Sequence, residues 1–314
     1  MAFMAKTISI LTGGFLVGAL LLAGPLSAKD GPRQFDGVAT PKKSSVLGLT
    51  SAENIERQSA QQFAQLKQEA ASQRSLAPDD YPQLQRIRAI GTKLIPYAVQ
   101  FSERYVDAKH PTNRAKQWQW EVALIASKQI NAFCMPGGKI AFYTGIIDTL
   151  QMTDDEIAMV MGHEISHAIL EHGRERAAKG TVAQVATVGA SILSSILGFG
   201  NIGGQIASAG AQASMLSYGR TDETEADAVG QDIAARAGYD PRASVVLWKK
   251  MAAVSKGSPP QFMSTHPSHE TRIKDLEGHL KETLPLYAKA TNQELSRLGP
   301  YKTIWKTNDT GGTR

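Results

Sequence analysis

The chain has 314 residues, enough for a large core, and carries 34 Lys and Arg against 29 Asp and Glu, a formal net charge of +5. The excess is spread along the chain with no basic stripe interleaved with aromatic residues, which argues against a nucleic-acid partner. Cys134 is the only cysteine, so no intramolecular disulfide can form, and it reads as a small buried apolar residue.

In chain order, Lys6 precedes an apolar run from Thr7 to Gly24, and Pro25-Leu26-Ser27-Ala28 follows as a small-residue cleavage end. Residues 1–28 therefore read as a signal peptide cut after Ala28. The run is close to a membrane span in length, so an uncleaved anchor over residues 7–24 is the alternative. No cysteine follows the run, so a lipoprotein anchor has no attachment site. Residues 29–48, rich in Pro, Gly and Ser, read as a mobile linker.

Thr50-Ser51-Ala52-Glu53 resembles a capping box that opens a polar helix to about Ser75, with Ile55, Ala60, Phe63, Leu66 and Ala70 as a thin apolar seam. A second helix is expected from Tyr81 to about Val99, with Leu84, Ile87, Ile90, Leu94 and Ile95 inward. Trp118 to Ala126 alternates as a strand, one side being Trp118, Trp120, Val122 and Leu124. Lys139 to Thr144 reads as another strand, reached through Pro136-Gly137-Gly138. As an exposed edge, Lys139, Ile140, Ala141 and Phe142 would pair with an extended substrate; the alternative is a buried structural strand.

Thr153-Asp154-Asp155-Glu156 then caps a helix whose apolar stripe is Ile157, Val160, Met161, Ile165, Ala168 and Ile169. On it lies His163-Glu164-Ile165-Ser166-His167. Residues four apart share a helix face, so both imidazoles can grip one metal from adjacent turns, while Glu164 can act as general base toward a water. Two unpaired histidines and a glutamate on a buried helix are costly without such a partner.

Zinc needs a third protein ligand. His172 is disfavoured because a continuous helix carries it roughly 180° around from His163, and it reads as a solvated or capping residue. The better source is Asp222-Glu223-Thr224-Glu225-Ala226-Asp227, which opens another helix. Glu223 and Asp227 share a face, so one can bind metal while the other accepts an imidazole N–H; an ordinary acidic helix start is the plain alternative. Glu225 would complete a capping box with Asp222 as N-cap.

His163-Glu164-x-x-His167 followed by Glu223-x-Glu225-Ala226-Asp227 resembles the HtpX-type and CaaX-prenyl-endopeptidase family of gluzincin peptidases, in its periplasmic LoiP/BepA-like branch. Asn131-Ala132-Phe133, the segment Pro136 to Gly145, Ser217-Tyr218-x-Arg220 and Thr265-His266-Pro267 match further family motifs, so the likeness runs from about Leu49 to Leu276. It implies an α+β, mostly helical, zincin-like domain over residues 49–284 with a small sheet beside the HExxH helix, and a C-terminal tail over 285–314. It makes His163, His167 and Glu223 the ligands of one zinc, Glu164 the catalytic base, and Asp227 a group behind the ligands. It places Asn131 and His266 at the tetrahedral intermediate, or His266 as a latch on the zinc.

The remaining segments are less informative. Residues 180–217 carry no charge and read as an Ala/Gly-rich hairpin, packed on the catalytic domain or touching membrane. Gly238 to Pro241 is a turn, Ala243 to Val254 a helix, and Ser268 to Lys281 another. The motif points to zinc-dependent peptide cleavage, and the resemblance implies unfolded or misfolded envelope proteins in the periplasm as substrates, with peripheral membrane contact. The alternative is an envelope chaperone or assembly factor with a resting or latched zinc. A structural zinc domain is disfavoured, since three ligands without a cysteine set leave an open corner.

Overall fold

A computed structural model of the chain describes residues 36–107, 112–183, 218–255, 260–268 and 271–304. The expected signal peptide and the uncharged hairpin lie outside the described residues. Among those described, no helix is long and apolar enough to cross a membrane. The architecture is mostly helical with one three-stranded sheet: strands β1 (Glu121–Ile125), β2 (Ala132–Met135) and β3 (Lys139–Tyr143), and helices α1 (Ala52–Ser72), α2 (Pro82–Glu103), α3 (Thr144–Thr149), α4 (Asp154–Ile169), α5 (His172–Ala183), α6 (Arg220–Arg236), α7 (Ala243–Val254), α8 (Gln261–Thr265) and α9 (Arg272–Ala290).

Helix α4 is the element on which the others are built. It starts with a reciprocal capping box: Glu156 N–H donates to Thr153 Oγ1 (3.2 Å) and Thr153 N–H to Glu156 Oε2 (2.9 Å). Every residue from Glu156 to Ile169 is buried, so α4 is enclosed all round rather than along one stripe. Helix α6 crosses it in backbone contact. An added Cβ on Gly162 would stand 2.8 Å from the Gly230 carbonyl oxygen, and one on Gly230 would stand 2.7 Å from the His163 nitrogen. Only glycine fits at both positions. That approach brings the histidine face of α4 against the carboxylate face of α6.

On another side, α2 packs through Leu84, Ile87, Ile90 and Leu94, with Ile95 only partly buried. It runs past the expected end because Ala98 and Phe101 extend the same stripe. Helix α1 is capped by Ser51, whose Oγ accepts from Asn54 N–H (3.2 Å), rather than by Thr50. Its buried seam is Ile55, Ser59, Phe63, Leu66 and Ala70; Ala60 is exposed. A helix advances 100° per residue, so position 60 leaves the face that 55, 59 and 63 share.

The sheet has the order β1-β3-β2, with β3 parallel to β1 and antiparallel to β2. This overturns the expected substrate edge at Lys139, Ile140, Ala141 and Phe142. Strand β3 is central, its backbone is paired on both sides, and Ile140, Ala141 and Phe142 are fully buried. Both faces of the sheet are covered. Val122, Leu124, Ala132, Cys134, Ile140 and Phe142 join the main core, while Ala123, Phe133, Met135 and Ala141 meet α1 at Ile55, Phe63 and Leu66. With two buried faces, the alternation expected of β1 is lost. Trp118 and Trp120 precede the strand and are only partly buried, their indole N–H groups donating to Glu56 Oε1 (2.8 Å) and the Ala115 carbonyl (3.1 Å).

The segment expected to be a mobile linker is packed where it is described, and so is the start of the C-terminal tail. From Asp36 onward the presumed linker lies on the domain. Val38 and Leu47 are buried, and Ser45–Leu49 forms a 3-10 helix. Arg174 Nη2 donates to the carbonyls of Leu47 (2.6 Å) and Thr50 (2.7 Å), while Arg236 Nη2 holds the Asp36 carbonyl (2.6 Å). At the other end, α9 begins at Arg272 and continues through Pro285 because Leu286 and Ala288 remain in contact with the core. Beyond it, Tyr301 Oη lies 2.8 Å from Thr153 Oγ1, and Thr303 Oγ1 donates to Glu156 Oε1 (3.2 Å). The tail thus fastens onto the cap of α4.

Candidate metal centre

His163 and His167 sit one turn apart on α4 with their Nε2 atoms 3.1 Å from each other. Glu223, near the start of α6, directs Oε1 to within 3.4 Å of His167 Nε2 and Oε2 to within 3.6 Å of His163 Nε2. His266 follows α8, its Nδ1 3.2 Å from His163 Nε2 and 3.0 Å from Glu223 Oε1. All four side chains are buried, and their ligand atoms lie within 4.8 Å of one another.

These spacings test whether zinc fits. Four ligands about 2.0–2.1 Å from a tetrahedral ion stand about 3.3–3.4 Å apart. The close pairs here, at 3.0 to 3.6 Å, fall around that value. Three imidazole nitrogens and a carboxylate are also the donor types zinc takes. Glu164, between the two histidines on α4, has its Oε1 buried without a hydrogen bond among the described residues and 3.4 Å from His266 Nε2.

The electrostatics agree with that use. Burial raises the Glu223 carboxyl, but the His266 charge and the close contacts with the His167 and His266 rings outweigh it and hold the group well below the usual carboxylate range. Burial pushes His167 well below the usual imidazole range, leaving a neutral ring with a lone pair to offer. Burial also raises Glu164, opposed by His266 and His163, which suits a group that must take up a proton.

Behind the ligands lies a network that sequence reading found only in part. Asp227 Oδ1 is 2.9 Å from His163 Nδ1. Arg272 was passed over as one residue of a helix. It is fully buried, donates from Nη1 to Glu223 Oε2 (2.6 Å) and from Nη2 to Asp227 Oδ1 (2.8 Å), and lies 3.3 Å over the Trp248 ring. Tyr218 stacks on His167 with ring centres 3.8 Å apart, and the Arg176 guanidinium lies 3.9 Å from the centre of the Tyr218 ring. Phe262 stacks on His266 (4.6 Å), and its N–H donates to the Ile130 carbonyl (3.1 Å), anchoring α8 beside the start of β2.

His172 is the clearest correction. It is 2% exposed, not solvated. Glu171 adopts φ +61°, ends α4, and swings the chain so that His172 Nδ1 comes 2.9 Å from His167 Nδ1. His172 stays outside the four-residue cluster and lies behind His167 instead. Glu225 does not close a capping box with Asp222: the N-cap is Gly219, and Glu225 Oε2 lies 3.2 Å from His172 Nε2. Asn131 is buried just ahead of β2, and its carbonyl accepts from Tyr143 N–H (3.1 Å). It makes no hydrogen bond to the four-residue cluster among the described residues.

Two helical imidazoles, a carboxylate from a neighbouring helix and a base aimed at their meeting point are the arrangement by which zincin-like metallopeptidases are recognised. Residues 101–280 match the model of Peptidase family M48, more than half of the 314 residues. The chain belongs to that family. It is 32% identical over 178 residues to Mitochondrial metalloendopeptidase OMA1 of Arabidopsis thaliana, covering 56% of this chain and 35% of that protein. To Metalloendopeptidase OMA1, mitochondrial, of Homo sapiens it is 33% identical over 196 residues, or 59% and 37% of the two chains. To the Beta-barrel assembly-enhancing protease of Escherichia coli strain K12 it is 28% identical over 177 residues, or 54% and 36%. The matched region spans little more than a third of each of these relatives.

Proposed function

We propose that the chain is a zinc-dependent endopeptidase acting on unfolded or misfolded proteins of the bacterial cell envelope. The observation that carries this reading is the convergence of His163, His167 and Glu223 on one point, with the buried Glu164 carboxylate between the two histidines in sequence and 3.4 Å from His266. Bound there, zinc supplies a Lewis acid that acidifies a water and polarises the scissile carbonyl. Glu164 takes the proton of the attacking water and passes it to the departing amine nitrogen. Asp227 and Arg272 hold the ligands in register throughout.

His266 is the fourth member of the cluster, which supports reading this conformation as a resting, latched centre. Its withdrawal opens the corner that a catalytic site needs. The same contact favours the second reading, an assembly factor whose zinc stays latched. Substrate backbone is best placed along β2, which packs on α4 and, among the described residues, is paired on one side only. The export-type segment and the name of the Escherichia coli relative support a periplasmic site of action, and the uncharged residues 180–217 a peripheral membrane contact. Zinc analysis with casein turnover of the full chain tests the enzymatic claim. One zinc per chain with cleavage supports the peptidase; zinc without cleavage, in wild type and latch variant alike, supports the assembly factor.

A further inference from the structure

The two histidines of α4 are held from behind by different devices. His163 Nδ1 faces a carboxylate directly, Asp227 Oδ1 at 2.9 Å. His167 Nδ1 faces another imidazole, His172 Nδ1 at 2.9 Å, whose far nitrogen lies 3.2 Å from Glu225 Oε2. His172 is buried, and Glu225 is partly exposed with a side-chain accessibility of 27%.

The proton order follows from the contacts. Two ring nitrogens 2.9 Å apart need one proton between them, since two lone pairs or two N–H groups would repel. The Glu225 carboxylate accepts, so His172 carries its proton on Nε2 and its lone pair on Nδ1. His167 Nδ1 therefore donates to His172 Nδ1, which leaves the His167 Nε2 lone pair facing the cluster. Each contact is then satisfied by one donor and one acceptor, with the carboxylate charge at the outer end.

We propose that His172 and Glu225 form a positioning relay that fixes the tautomer and orientation of His167, doing through an intervening imidazole what Asp227 does directly for His163. The proposal rests on reading the cluster as a metal centre. His172 touches no reacting atom; it acts through His167. The left-handed turn at Glu171 is what makes the relay possible, because it returns His172 to the ring it supports.

The test uses the full chain and its His172→Phe, His172→Gln and Glu225→Gln variants, with ring-nitrogen NMR of labelled histidines in the metal-free state and zinc affinity by chelator competition. In wild type, His167 carries its proton on Nδ1 and His172 on Nε2. With His172→Phe, His167 populates both tautomers and zinc binding weakens about 10- to 100-fold, the usual cost of losing such a partner. His172→Gln restores the Nδ1 proton and most of the affinity, because its amide accepts from His167 and donates to Glu225. Should His172→Phe fail to fold, Glu225→Gln decides: weaker zinc binding at an unchanged melting temperature supports the relay, and unchanged binding overturns it. Identical His167 tautomers in wild type and His172→Phe, or a wild-type His172 proton on Nδ1, also overturn it. A wild type that binds no zinc defeats the metal reading instead; the proton order is read from the ring nitrogens alone.

Discussion

Arg272 donates to Glu223 at 2.6 Å from a site where both side chains are fully buried. The same guanidinium reaches Asp227 at 2.8 Å and lies flat over Trp248. One cation thus neutralises two carboxylates, one beside the metal position and one behind His163. Arg272→Met leaves both uncompensated, and breaking a buried pair this way costs about 3–5 kcal/mol. Arg272→Lys does not rescue it, since a lysine offers neither the planar fork nor the stacking surface. Urea unfolding and zinc competition on the three proteins check this; a lysine variant with wild-type stability contradicts it.

The contact of Gly162 with Gly230 leaves no room for a methyl group. In an open helix Gly→Ala gains about 1 kcal/mol, so an ordinary site would be stabilised. Gly230→Ala should instead destabilise by about 1–3 kcal/mol through overpacking. It should also weaken zinc binding, because α4 and α6 can no longer approach. Thermal melts with and without zinc measure both effects.

Lys250 and Glu156 form a second fully buried ion pair, with N–O distance 2.7 Å, and Lys250 Nζ also donates to the Leu150 carbonyl (2.9 Å). Lys250→Met should cost about 3–5 kcal/mol, and the double variant Lys250→Met/Glu156→Gln distinctly less than the sum of the single changes. A double-mutant cycle in urea reads the coupling directly. Additive losses would show that the pair contributes nothing as a pair.

On the proposed reading, His266 is the contact that separates a resting centre from a working one. His266→Ala removes the fourth side chain from the cluster, so zinc affinity should fall while casein turnover per bound zinc rises several-fold. The opposite result, turnover falling with zinc retained, would make His266 a transition-state group instead.

How much of this was readable from the sequence depended on distance along the chain. The HExxH pair, its Thr153 cap and α7 are local, set by helical spacing and capping chemistry, and were found at their positions. Glu223 and Asp227 were legible through spacing and family resemblance together. The role of Arg272 was not, because a buried arginine looks like any surface one until its partners are brought to it. The burial of His172 was not legible because one left-handed residue, Glu171, resets the helical phase, although His172 does stay outside the ligand cluster. The edge role of Lys139–Phe142 failed because strand order is a tertiary property: the residues that make a strand do not say which neighbours flank it.

The most direct test of the peptidase assignment is Glu164→Gln in the full chain, measured for bound zinc and casein cleavage together. This variant keeps His163, His167 and Glu223 and removes only the base. One zinc per chain with cleavage lowered by at least about 10²-fold is the predicted result. Cleavage at the wild-type rate would contradict the role of Glu164.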